Sequence, residues 1–98
     1  MKTIKAIFTK EKQNEPTGRA YSFNTELDVK VGDLLASNDY KGKYLQVVGV
    51  EDDVYGYFSY KTGELKKDMS SGCGLIKTLG DDTVIVDERV METNYTGF

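Results

Sequence analysis

The sequence predicts an all-β domain: a small antiparallel β-barrel, SH3-like or OB-like, with at most one short helix. Three observations carry this. Apolar and polar residues alternate with period two along most of the chain, the signature of half-buried strands. Seven Tyr and four Phe stand against a single Pro, a balance that favours strands. Turn residues punctuate these runs at about the 8–12-residue spacing of small barrels and sandwiches. A closed barrel is preferred over an open sheet because closure removes exposed strand edges.

The elements follow in order. Ile4, Ala6 and Phe8 alternate with Thr3, Lys5 and Ile7 and predict a first strand. Lys10 to Gly18 is polar, holds the Pro and ends in Gly, which reads as a mobile loop. Arg19 to Asn24 resumes the alternation, with Tyr21 and Phe23 on one face. Leu27, Val29 and Val31 share a face before a turn at Gly32-Asp33. Leu34 to Ser37 is a short apolar strand and Asn38 to Lys43 a loop. Tyr44 to Val50, rich in β-branched and aromatic residues, is the clearest strand. Glu51-Asp52-Asp53 turns the chain into a strand over Val54 to Tyr60. Lys61-Thr62-Gly63-Glu64 is a hairpin turn with Gly placed for positive φ. Leu65 to Met69 fits a strand or one helical turn, Ser70 to Gly74 a small-residue loop, and Leu75 to Leu79 a short strand. Gly80-Asp81-Asp82 turns into a closing strand over Val84 to Met91. The predicted core is Ile4, Phe8, Phe23, Leu27, Val29, Leu34, Val48, Phe58, Ile85 and Val90, with the Val48 strand central.

Ninety-eight residues amount to one domain, assigned to 1–91, with a C-terminal tail over 92–98. A net charge of -3 argues against a free-standing nucleic-acid binder. Lys and acidic residues alternate without a basic arm or acidic tail. No apolar stretch follows the charged start, and none approaches the ~18 residues of a membrane span. The expectation is a cytoplasmic protein, without a membrane partner.

The run Tyr21-Ser22-Phe23-Asn24-Thr25-Glu26-Leu27-Asp28-Val29-Lys30-Val31-Gly32-Asp33 resembles the opening of small β-barrel accessory proteins of phages and prophages. It is similar, more weakly, to the N-terminal DNA-binding domain of primosomal replication helicases. The likeness extends from Ile4 to about Val50. The chain departs from the helicase domain after the turn, where Leu34-Leu35-Ala36-Ser37-Asn38-Asp39 replaces a basic run. The phage likeness implies a small accessory or counter-defence protein acting in the host cytoplasm.

The chain excludes many chemistries. It has no His, so it lacks the Ser-His-Asp triad, the Cys-His pair and imidazole ligation. Its one Cys, Cys73, lies between Gly72 and Gly74 and reads as a small loop residue; a reactive thiol would need a neighbour that lowers its pKa. The acidic clusters Glu51-Asp52-Asp53, Asp81-Asp82 and Asp87-Glu88 read as solvated turns, and neither a calcium loop nor a phosphate loop is present. No catalytic residue, metal site or cofactor is expected, and the protein reads as a non-enzyme.

The candidate site is a Tyr/Lys face. On a strand, Tyr55, Tyr57 and Ser59 share one side, while Val54, Gly56, Phe58 and Tyr60 share the other, which reads as core. Lys61, Lys66 and Lys67 lie next to the first side, and Tyr40 and Lys43 are candidates to join it, as are Tyr95 and Phe98 of the tail. Tyrosines stack on bases and lysines neutralise phosphate, and Gly56 would admit a flat ligand close to the backbone. The competing reading is that cross-strand tyrosines only stabilise a sheet. Two functions follow almost equally. One is a binding protein, oligomeric, that sequesters a nucleotide-like signal without turning it over. The other is an acidic inhibitor that docks on a host defence enzyme. Binding of single-stranded nucleic acid ranks behind both.

Overall fold

The computed structural model describes residues 1–86, and these are all-β. A six-stranded sheet is built from β1 (Lys2–Thr9), β2 (Ala20–Thr25), β3 (Leu34–Ala36), β4 (Tyr44–Glu51), β8 (Lys77–Thr78) and β9 (Val84–Val86), in the order β8-β2-β1-β4-β3-β9. It curls as half of a small barrel. A three-stranded sheet, β6-β5-β7, holds β5 (Tyr57–Ser59), β6 (Leu65–Lys66) and β7 (Cys73–Leu75). The predicted fold class stands, with one departure: β8 runs parallel to β2, opposite Phe23 and Asn24, while the other pairings are antiparallel. The chain can make this parallel step because it leaves one sheet at Leu75 and enters the other at Lys77, pivoting on the buried Ile76.

The core follows from the pleat. Ile4, Ala6, Phe23, Val29, Leu35, Leu45, Val47 and Leu79 form one buried cluster, with Phe8, Leu27, Tyr40 and Val50 packed against it. β1 pairs with β2 on one side and β4 on the other, so its alternation sets both registers. Between Lys5 and Ala6 the register shifts: Lys5 stands opposite Gly49 and Ala6 opposite Val47. Val48 is the extra residue of this bulge, which is why it is only half-buried and Leu45 and Val47 carry the core instead. Phe58 is also half-buried, on the small sheet, and Ile85 is 44% exposed on the edge strand β9. Val90, the end of the predicted closing strand, Asp87-Glu88 and the tail lie outside the described residues.

Local chemistry explains the other differences. Leu27, Val29 and Val31 do not share one face: Lys30 and Asp33 close a tight turn, the Asp33 N–H donating to the Lys30 C=O at 3.1 Å and the Lys30 N–H donating to Asp33 Oδ2 at 3.0 Å. Val31 is thereby turned out, 63% exposed, while Val29 stays in the core. Asn38–Tyr40 forms a single 3₁₀ turn capped by Ser37, whose Oγ accepts from the Asp39 N–H. The 10–18 segment, expected to be a mobile loop, is tied through Gln13 to the buried Gln46. The strand expected over Val54 to Tyr60 shortens to β5, and the predicted hairpin at Gly63 (φ 72) joins it to β6. Among the described residues no helix is long and apolar enough to cross a membrane, and no three His, Cys, Asp or Glu side chains cluster to hold a metal.

Candidate functional site: an aromatic cleft at the open edge of β2

β8 pairs with only Phe23 and Asn24 of β2. Ala20, Tyr21 and Ser22 therefore extend beyond the end of β8, and the small sheet faces them across a cleft of about 690 Å³. The small sheet is anchored from below. Tyr55 donates its N–H to Thr3 Oγ1 at 2.8 Å and accepts from Asn24 Nδ2 at 2.9 Å through its C=O, while Thr3 Oγ1 donates to Asn24 Oδ1. Thr3 and Asn24 are cross-strand partners in β1 and β2 and both are buried. This clamp fixes the path from β4 into β5 and so sets the distance between the two walls.

One wall is a cluster of rings from the large sheet and the 3₁₀ turn. Phe8 meets Tyr21 edge to face at 5.4 Å, Phe23 at 6.4 Å and Tyr40 at 5.2 Å, and Phe23 meets Tyr40 at 5.9 Å. The other wall carries Phe58 and Tyr60, in contact at 5.2 Å. The face expected to be core is thus a cleft wall, and Tyr60 is 67% exposed on it. Gly74, opposite Phe58, makes this wall possible: a Cβ there would lie 2.7 Å from the Phe58 ring and 2.9 Å from the Tyr60 hydroxyl.

Three cations line the same space. The Arg19 guanidinium lies over the Tyr21 ring at 5.3 Å, and Lys77 Nζ lies 6.0 Å from the centre of the Tyr40 ring. Lys5 stands opposite Ser22 across the β1–β2 ladder. Among the described residues no carboxylate lines the cleft, in a chain whose net charge is -3. A second hollow of about 500 Å³, between the 10–18 segment and β4, is lined by no aromatic ring among the described residues.

The expected site residues divide. Tyr40 and Ser59 line the cleft. Tyr57 sits in β5 between Lys66 and Leu75, a cross-strand arrangement that stabilises the small sheet. Tyr55 is held by its backbone in the clamp. Lys61 is exposed in the hairpin turn, Lys67 pairs with Asp53 at 3.6 Å, and Lys43 lies beside Tyr40 in a smaller hollow with Asp39 and Lys41. The space expected above Gly56 is taken by the chain itself, the Lys67 carbonyl lying 3.3 Å from where a Cβ would be. Tyr95 and Phe98 lie outside the described residues. Sequence reasoning missed Arg19, Tyr21, Tyr60 and Lys77 as site residues. Arg19 and Tyr21 carried a readable signal, a cation and a ring two apart on one side of a strand.

Cys73 is half-buried in β7, beside Ser70, whose Oγ lies 3.0 Å from Sγ. The hydrogen bond from the Ser70 side chain holds the thiol below its ordinary pKa, with the Ser70 backbone and Lys66 adding to the effect against some desolvation. Asp28 is similarly held below the usual carboxylate range by Lys2, whose Nζ donates to it at 2.9 Å.

Comparison of the chain with protein-family models, with curated proteins and with solved structures finds no match.

Proposed function

We propose that the protein is a non-enzymatic accessory binding protein of the phage type that sequesters a nucleotide-like signal in this cleft. The observation that carries the reading is the composition of the walls: rings on both sides, three cations and, among the described residues, no carboxylate, in an acidic chain. Rings supply sequence-tolerant stacking for a flat base. Arg19, Lys5 and Lys77 supply the positive field that a phosphate needs, and only there does a chain of this charge have to be positive. The β2 edge adds backbone groups. Asn24 accepts from the Leu79 N–H on the β8 side, so Ala20 and Ser22, in phase with Asn24, turn their backbone toward the cleft. Such groups can hydrogen-bond a base edge.

Calorimetric titration of mononucleotides tests this. Binding that weakens with salt, and weakens about ten- to hundredfold in Tyr21→Ala, is the expected result. A flat titration at high protein concentration, with the fold intact, rejects it.

A second reading has its own support. Leu75, on the small sheet, and Met69, between its strands β6 and β7, are exposed, and such side chains suit a protein partner. Under this reading the protein is an acidic inhibitor of a host enzyme, and Leu75→Asp abolishes the complex while nucleotides do not bind.

A further inference from the structure

We infer that the ligand of the cleft is a dinucleotide, with two bases and negative charge at two positions, rather than a mononucleotide. The inference rests on the nucleotide reading above and sharpens it. Three features carry it. First, the rings form two groups on opposite walls, each in contact within itself: Phe8, Tyr21, Phe23 and Tyr40 on one, Phe58 and Tyr60 on the other. One base occupies one platform. Two platforms call for two bases.

Second, the cations are rooted at separate places: before β2, on β1 and on β8. Arg19 immediately precedes β2, Lys5 stands opposite Ser22, and Lys77 stands opposite Phe23. From Arg19 to Phe23 the extended chain runs about 13 Å. A single phosphate is best held by donors that converge on it, as in a bidentate clamp. Cations rooted on different strands match phosphates spaced along a sugar-phosphate backbone. Third, the cleft volume of about 690 Å³ lies in the upper half of the range for small-molecule sites, about 300–1,000 Å³.

The geometry assigns roles. Tyr21, with Arg19 over its ring, forms the platform for one base, and Tyr60 forms the platform for the other. Arg19 and Lys77 then meet the charge at the two ends of the β2 edge. Because the same dinucleotide step occurs free and within a single strand, the test must separate the two sources.

The full chain is titrated by calorimetry with four probes, in adenylate and guanylate series. They are the mononucleotide, the linear dinucleotide, the cyclic dinucleotide and a ten-residue single strand. In at least one series a dinucleotide, linear or cyclic, is expected to bind at least about tenfold tighter than the mononucleotide, the gain from one added stack. Tyr60→Ala, an exposed site, is expected to remove that gain, so that the variant binds the dinucleotide no tighter than the mononucleotide. A strand that binds no tighter than the dinucleotide assigns the free molecule as the source. A tighter strand, with a steeper salt dependence, assigns the step within a polymer. Equal affinity for mono- and dinucleotides, or a gain that survives Tyr60→Ala, overturns this inference and leaves the nucleotide reading standing. No binding by any probe overturns the nucleotide reading itself.

Discussion

The side-chain amide of Gln46 meets both backbone polar groups of Gln13: its Oε1 accepts from the Gln13 N–H at 2.7 Å, and its Nε2 donates to the Gln13 C=O at 2.8 Å. The amide thus acts as one more ladder partner, projected from the face of β4 rather than its edge. Gln46 is buried between Ile7 of β1 and Leu34 of β3, its cross-strand neighbours. The Gln13 side chain completes the strap, donating from Nε2 to Thr9 Oγ1 at 3.1 Å and accepting from the Thr17 N–H at 3.0 Å. Gln46→Ala leaves the Gln13 backbone groups without these partners. The expected destabilisation is about 1 kcal/mol, the usual net contribution of such hydrogen bonds, because the Gln13 groups are only half-buried. Proteolysis at Lys10 and Lys12 should accelerate, and unchanged proteolysis would show that the strap does not hold the segment.

The Thr3 hydroxyl both donates to Asn24 and accepts from the Tyr55 N–H. Thr3→Val keeps the shape and removes both bonds. A loss of about 1–3 kcal/mol is expected from the buried groups left unpaired. Amide exchange should rise across β5 to β7 more than in β1 and β4, because the clamp holds the small sheet to the large one. Uniform exchange throughout would mean that the two sheets open as one unit.

Gly74→Ala drives a methyl into the Phe58 ring, which must tilt away. Overpacking of this kind destabilises by about 1–3 kcal/mol. The melting temperature should fall, and the Phe58 ring resonances should shift. Phe58→Ala should destabilise by less than the 3–5 kcal/mol or so of a fully buried ring, since Phe58 is half-buried.

Thiol reactivity reports on the Ser70–Cys73 pair. Because the thiolate is the reactive form, a depressed pKa moves the pH midpoint of alkylation below the ordinary value of 9.0. Ser70→Ala removes the leading cause and should move the midpoint up. A wild-type midpoint at the ordinary value, or one indifferent to Ser70→Ala, would contradict the assigned hydrogen bond.

Much of the fold was legible because period two is a local signal. The strands around Ile4–Phe8 and Tyr21–Phe23 follow from alternation, the one around Leu45–Val47 from its β-branched and aromatic content, and the Gly63 hairpin from the conformation its turn requires. What the sequence could not show is which strands share a sheet. Taken alone, the Val54–Tyr60 run fits one strand of a single barrel, which puts its Phe58/Tyr60 side in the core. In the fold it belongs to a separate small sheet, and that side becomes a cleft wall. The bulge at Val48 was hidden for a related reason, since an extra residue on one strand is visible only against its partner. The cleft itself joins Arg19, Tyr40, Tyr60 and Lys77, which lie far apart in sequence and meet only through the crossover at Ile76 and the Tyr55 clamp.

The central claim is that a nucleotide occupies the cleft between the β2 edge and the small sheet. Amide and aromatic NMR shifts of the full chain during nucleotide titration test it most directly. Saturable shifts are expected at Arg19, Tyr21, Tyr40, Tyr60 and Lys77, with Gln13 and Gln46 on the opposite face unmoved. Absence of saturable shifts, or shifts confined to Tyr55, Tyr57 and Lys67 outside the cleft, would contradict it.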